Sequence, residues 1–160
     1  MAIRCAAKAL IVRDGWLLLN RCRRSDGAVY YDLPGGGQNP FESMEDAVRR
    51  EVREETGMGV RILRFAALAE EIYTNESLRQ KYPDYAHRMM HIFLAEPDGE
   101  KCSQPSEKDW GMEESVWVPV EDVAKLPEVR PAAIQFRIEE ILSSGAPVYL
   151  GTEYVDWDQE

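Results

Sequence analysis

Three glutamates crowd the end of one short segment: Glu51, Glu54 and Glu55, in the run Arg50-Glu51-Val52-Arg53-Glu54-Glu55-Thr56-Gly57-Met58. On a helix of ~100° per residue, Met44, Ala47, Val48 and Val52 share one stripe, the pattern of a helix packed on a sheet. Glu51 and Glu55 fall inside that stripe, within roughly 40° of each other, and Glu54 lies at its margin, about 60° from Glu51. Asp46, Arg49 and Arg53 take the opposite side. A solvated acidic face is the ordinary reading of such a run, but its glutamates would point outward with Asp46. Inward carboxylates lose hydration and repel one another unless a positive group joins them. A divalent cation is the simplest partner, and hard oxygen ligands suit magnesium or manganese alongside substrate phosphates. Arg50 stands one turn before Glu54, where its planar fork can hold a carboxylate, although an ordinary surface pair would look the same in sequence.

A glycine-rich turn, Gly35-Gly36-Gly37, leads into this segment, with Glu42 between. No Gly-Lys-Ser/Thr follows, so the turn is not a phosphate-binding P-loop. From Gly36 through Glu42 to Met58, twenty-three residues fill each of nine specified positions of one pattern. This stretch resembles the Nudix box of the Nudix hydrolases, and it covers about a seventh of the chain. Leu33-Pro34-Gly35 before it and Trp117-Val118-Pro119-Val120-Glu121 after it agree more loosely. One departure is local: the family often has Gly-Glu at the helix start, where this chain has Asn39-Pro40-Phe41-Glu42. Asn39 is expected to cap the helix, with Pro40 at its first position.

The resemblance implies a Nudix-type α/β/α sandwich, a mixed β-sheet between helices. It also implies a metal-dependent hydrolase of the pyrophosphate bond in a nucleoside diphosphate linked to another moiety. Gly36 would present a carbonyl to the metal, and Glu51 and Glu55 would hold it. Glu54 would be a ligand or the base that orients water, and Arg50 would orient the glutamates. Family members commonly recruit a further acid from a nearby loop. Glu114 is favoured for it, with Glu113, Glu96, Glu107 and Asp109 as rivals. A family rule of thumb places a proline some fifteen residues past the box in ADP-ribose enzymes and a tyrosine near there in diadenosine polyphosphate enzymes. Here Ile72-Tyr73 stands at that distance and no proline comes before Pro83, which tilts toward a dinucleoside polyphosphate or nucleotide over an ADP-sugar. Two other classes stay open: a diphosphate-ester isomerase on the same fold, and a non-catalytic nucleotide sensor, which a complete box disfavours.

The elements that must position these residues alternate. Strands are expected over 3–12, from Trp16 to Asn20, and from Tyr30 to Leu33. The box helix spans 41–56 and ends at Gly57. Residues 60–73 read as one long strand or two, Thr74 to Asp84 as a polar segment with one helical turn, and Tyr85 to Ala95 as a strand. After a loop from Pro97 to Met112 come a strand from Ser115 to Val120, a short helix from Asp122 to Leu126, and an amphipathic helix from Pro131 to Ser144. That last helix turns Ile134, Ile138, Ile141 and Leu142 inward. A single domain over 1–160 is expected, with a short acidic, aromatic tail from about 146.

Arg21, Cys22, Arg23, Arg24, Ser25, Asp26 and Gly27 read as a basic loop in which Arg21, Arg23 and Arg24 could meet a diphosphate, although a solvated loop is as good a reading for any one of them. Tyr73 joins Tyr30, Tyr31, Tyr82 and Tyr85 as a candidate to stack on a base or simply to pack. His87 and His91 lie too far apart along a strand to share zinc.

Formal charge is −10, from 19 Lys and Arg against 29 Asp and Glu, which disfavours polynucleotide binding yet permits a small phosphorylated substrate when cations reverse the local sign. The three cysteines form no framework, the N-terminal apolar stretch is broken by Lys8, and no membrane span is present, so a cytoplasmic location is expected. The partner expected is a small-molecule nucleotide, and a homodimer is compatible with the sequence.

Overall fold

In the computed structural model, residues 2–108 and 111–158 are described. Two curled sheets share the first strand. Strand β1 (Arg4–Arg13) turns tightly at Asp14-Gly15 into β2 (Trp16–Arg23), which pairs with β3 (Val29–Asp32). The short β4 (Gly35–Gly37) returns to pair antiparallel with the first half of β1. Helix α1 (Met44–Thr56) leads to β5 (Val60–Tyr73), one long strand with two irregularities. Then come α2 (Glu76–Lys81), β6 (His87–Pro97), β7 (Met112–Pro119), β8 (Val129–Arg130), α3 (Ile138–Ser143) and β9 (Val148–Val155). Strand β1 runs parallel to β6, β6 antiparallel to β5, and β5 parallel to β9, while β7 and β3 flank β2. No helix among the described residues is long and apolar enough to cross a membrane.

Alternation along β1 explains the layers. Ala7, Ala9 and Ile11 face α1 and meet Ala47, Val48 and Val52, whereas Ala6 and Leu10 face the other way and pack with Ile134, Ile138 and Ile141. The sheet therefore lies between helices, as expected.

Four local expectations change. The box helix begins at Met44 with Ser43 as its cap, accepting from Asp46 N at 3.1 Å, and Asn39 is not the cap. Phe41 has φ +65°, a left-handed conformation that no helix can include, so the start moves beyond it. Arg21, Cys22 and Arg23 are strand, not loop: Cys22 turns inward against Tyr30, and the arginines alternate with it. The helix expected over 131–144 is broken into a 3₁₀ turn at Ala132–Ile134 and α3, because Arg137 leaves helical geometry (φ −124°, ψ 9°) while its guanidinium bonds Glu140 and the Leu150 carbonyl. The stretch expected as a tail supplies β9, with Leu150 and Val155 buried.

Candidate functional site

The box helix obeys its own period: Ala47, Val48, Val52 and Glu55 are buried, and Asp46, Arg49 and Arg53 are exposed. Gly57 closes it at φ +73°, donating to the Arg53 carbonyl at 2.9 Å. Beside the helix, β4 lies so close to β1 that a Cβ on Gly35 would stand 2.2 Å from the Ala7 carbonyl oxygen, and its φ of +135° is a glycine conformation. A Cβ on Gly36 would stand 2.5 Å from Glu51 Oε2. A side chain there would push that carboxylate out of its place.

Arg50 organises the centre. Its Nε and Nη2 hold Glu42 through two oxygens at 2.8 and 3.0 Å, and Nη2 also donates to the Gly37 carbonyl at 3.0 Å. Its Nη1 donates to Glu51 at 2.8 Å and Glu54 at 3.1 Å. All five guanidinium donors are thereby used, and one cation holds Glu51 and Glu54 side by side. Glu42 also accepts from the Asn39 amide at 3.0 Å. The Arg50 bonds, aided by that amide, hold the Glu42 carboxyl down at about 2.

This shift sets an acid limb. A carboxyl with a depressed folded pKa contributes stability above its unfolded value of 4.5, and that contribution is lost as pH falls toward about 2. Glu42→Gln should melt lower than the parent at neutral pH and lose less between pH 4.5 and 2. Melting curves in a metal chelator check this; parallel acid limbs would remove the bridge from the stability account.

Glu55 is 3% exposed, and its Oε2 accepts from Asn20 Nδ2 at 2.8 Å and the Gly35 amide at 3.0 Å. Ser115 in turn donates to Asn20 at 2.9 Å. Much of Glu55 is thus committed to fixing the glycine turn, a role its spacing did not reveal. Lys8, also buried, reaches both Asp32 oxygens, the Leu33 carbonyl and the Gly35 carbonyl at 3.0–3.1 Å, tying β1 to the same turn. Neither Lys8 nor Asn20 was assigned a role from sequence; for Lys8 the signal was a lone charge inside an apolar strand, whereas Asn20 opens the polar end of β2 and carried none.

Among the described residues, no three His, Cys, Asp or Glu side chains form a metal cage by themselves. The donors present are carboxylates beside a glycine backbone, and they fit a cation that takes one or two carboxylates and keeps waters and substrate phosphates.

Other expected site residues lie elsewhere. Arg21 and Arg23 both bind Glu113, Arg23 at 2.6 Å, so neither presents a free guanidinium. A bulge in β7 opposite Arg21 and Cys22 brings in Glu113 and leaves Glu114 exposed. Glu107 comes nearer: its amide and that of Ser106 donate to the Glu54 carbonyl at 3.0 and 2.8 Å. Glu96 pairs with Arg61, and Asp109 lies outside the described residues. Tyr73 is fully buried with Leu78, Tyr82, Ala86 and Val155, under α2, and cannot stack on a ligand from there. His87 bonds Glu70 at 2.7 Å.

A pocket of about 100 Å³ adjoins the glutamate helix, bounded among others by Lys8, Asn20, Glu55, Glu71, Arg88 and Arg130. Burial pushes its Cys22 thiol up to about 12, so no thiolate is available there.

A profile of the NUDIX domain matches residues 3–137. The chain belongs to that family. An NAD-capped RNA hydrolase NudC of Pseudomonas putida is 35% identical over 125 residues, which are 78% of this chain and 39% of that protein. A protein of the same name from Pseudomonas syringae pv. syringae is 35% identical over 141 residues, 86% of this chain and 44% of its own. The chain thus spans about two fifths of the curated relatives it matches. Among solved structures, a NUDIX hydrolase from Nitrosomonas europaea superposes with TM-score 0.70 at 21% identity, covering 89% of this chain and 90% of that one. A MutT NUDIX hydrolase from Burkholderia pseudomallei gives 0.62 at 25%, covering 84% and 96%. The Nudix fold accounts for the shared sheet and for the position of the box between β4 and β5.

Proposed function

We propose that this Nudix domain hydrolyses the pyrophosphate bond of a nucleoside diphosphate derivative with the help of magnesium or manganese. The observation that carries the reading is the single guanidinium of Arg50 holding Glu51 and Glu54 together beside Gly36. Side chains serving stability alone would not gather carboxylates at a half-buried spot. Glu51 and Glu55, with the Gly36 carbonyl, are the groups that would hold the cation, Glu55 through a carboxylate that also fixes the turn, and Glu54 stands beside them as the base. When bound, the cation offsets the diphosphate charge and makes an attacking water easier to deprotonate.

The chain's own residues do the rest. Arg50 keeps Glu51 and Glu54 oriented, with Glu42 as its second anchor. Glu54 accepts the proton of the water as its oxygen attacks phosphorus. One phosphorus–oxygen bond forms, the bridging phosphorus–oxygen bond breaks, and two phosphate monoesters leave. The small nucleotide is favoured over a polynucleotide by the net charge of −10. The names of the Pseudomonas relatives make an NAD-capped RNA end the second substrate to try.

The test is a screen of nucleoside diphosphate derivatives, dinucleoside polyphosphates and NAD-capped RNA with magnesium, scored by phosphate release after phosphatase coupling. At least one should be turned over, and a chelator should stop it. Binding without release would make the domain a sensor, and rearrangement of a diphosphate ester without release would make it an isomerase.

A further inference from the structure

Arg4 is half-buried at the start of β1, and its guanidinium makes no hydrogen bond or ion pair with the described residues. What holds it is a stack: its Cζ stands 4.8 Å from the Tyr85 ring centre. Such a stack orients a guanidinium without neutralising it. Arg88 lies directly opposite Arg4 in the register of β1 with β6, and its own Cζ is 5.9 Å from the same ring. Like charges opposite each other across two strands are destabilising. Arg88 is offset by the buried Glu71, and Arg4 by no carboxylate, in a chain where acids outnumber bases by 29 to 19. Unlike Arg88 Nε and Arg130 Nη2, no Arg4 nitrogen is closed off from solvent, so an anion can reach it. The guanidinium also abuts the glycine turn. A Cβ on Gly37 would overlap Arg4 Nη2 and stand 2.8 Å from its Cζ, whereas a Cβ on Gly36 would meet the Glu51 carboxylate. Arg4 and Glu51 therefore flank two consecutive residues of β4 from its two faces. Among the described strands β4 pairs with β1 alone, which leaves its other edge open.

We propose that Arg4 binds the substrate's diphosphate across this edge, taking the phosphate group that the cation beside Glu51 leaves free. The inference rests on the diphosphate reading above and assigns that substrate a second positive anchor. Arg21 and Arg23, the arginines that sequence alone put forward for this task, are both spent on Glu113. Arg4 has its donors in hand, and a planar guanidinium fork matches two phosphate oxygens at once. An anion there also relieves the repulsion between Arg4 and Arg88. Arg4 meets the diphosphate before the bridge breaks as well as during the break, so its contribution is to affinity more than to turnover.

The probe is α,β-methylene adenosine diphosphate, whose bridge water cannot cleave, titrated calorimetrically into the whole chain with saturating magnesium. The parent should bind it. Arg4→Met keeps the length of the side chain and removes the charge, and should bind it roughly ten- to a hundred-fold more weakly. Arg4→Lys keeps the charge and loses the fork, and its affinity should fall between the two. The rise in Tm that magnesium alone causes should be the same in all three proteins, because Glu51 and Glu55 are untouched. With a cleavable substrate the loss should appear in KM, with kcat within about three-fold. A parent that does not bind the probe overturns the proposal, as does unchanged affinity in Arg4→Met. Equal losses in the methionine and lysine variants, or a lost magnesium response, would make Arg4 a support of the glycine turn and overturn it too. Should Arg4→Met not fold, Arg4→Lys alone must still bind the probe more weakly than the parent. Weakened probe binding with no hydrolysis of any diphosphate would retire the enzymatic reading and keep the arginine's role. Hydrolysis with Arg4→Met equal to the parent would do the reverse.

Discussion

Glu54→Gln should lower turnover of the best diphosphate substrate by about 10²–10⁴-fold, the usual loss when a general base is removed. The substitution keeps the shape of the side chain and removes its charge and basicity. The fold should survive. Glu54 is only partly buried, its backbone carbonyl still receives the amides of Ser106 and Glu107, and Arg50 keeps Glu42 and Glu51. Substrate should still bind, because Glu51, Glu55 and the Gly36 carbonyl remain. A large fall in kcat with a modest change in KM is therefore expected. Hydrolysis by the parent in oxygen-18 water should label one phosphate product. A variant within a few-fold of the parent would take Glu54 out of the proton path and turn attention to Glu107, whose backbone docks on it.

The second large effect is on stability with metal. Saturating magnesium or manganese at about a hundred times its dissociation constant should stabilise the folded state by ~2.7 kcal/mol. For a chain of this size that amounts to roughly 5–10 °C in Tm. Replacing Glu51 and Glu55 together by glutamine should abolish the increase. Glutamine at 55 can still accept from Asn20 and the Gly35 amide through its carbonyl oxygen, so the glycine turn keeps its support. Glutamine at 51 still fits beside Gly36. Scanning calorimetry of both proteins with and without metal decides the matter. A double variant with the parent's metal response would sink the assignment of these two carboxylates.

The helix and the phase of its glutamates were legible before any fold was known because both are local. The 3.6-residue period alone puts Glu55 among Ala47, Val48 and Val52, and the structure buries it there. Gly57 ended the helix as a left-handed cap for the same local reason. The helix start was missed because Asn39-Pro40 is a good cap in isolation, while the positive φ of Phe41 depends on the turn that lets Glu42 reach Arg50. Arg21 and Arg23 looked like free loop cations, but strand pairing with β7 supplies Glu113 to both. A bulge, which shifts register by one residue, exchanged Glu113 for Glu114, and single-residue shifts of that kind leave no mark in composition. Tyr73 stood at a suggestive distance past the box, yet distance along a strand says nothing about which face is covered, and α2 covers it.

By itself, then, the sequence determined the alternating elements, the phase of the glutamates on their helix, the glycine turn before them, and the resemblance that family membership bears out. These follow from periodicity and steric freedom, which act between near neighbours. Tertiary structure alone decided that one guanidinium spends all five donors on Glu42, Glu51, Glu54 and Gly37, that Lys8 and Asn20 brace the glycine turn, and that Arg88 and Arg130 reach one pocket from distant strands. Each depends on which residues are brought together across the two sheets, and that is set by burial of the whole core rather than by any stretch of chain.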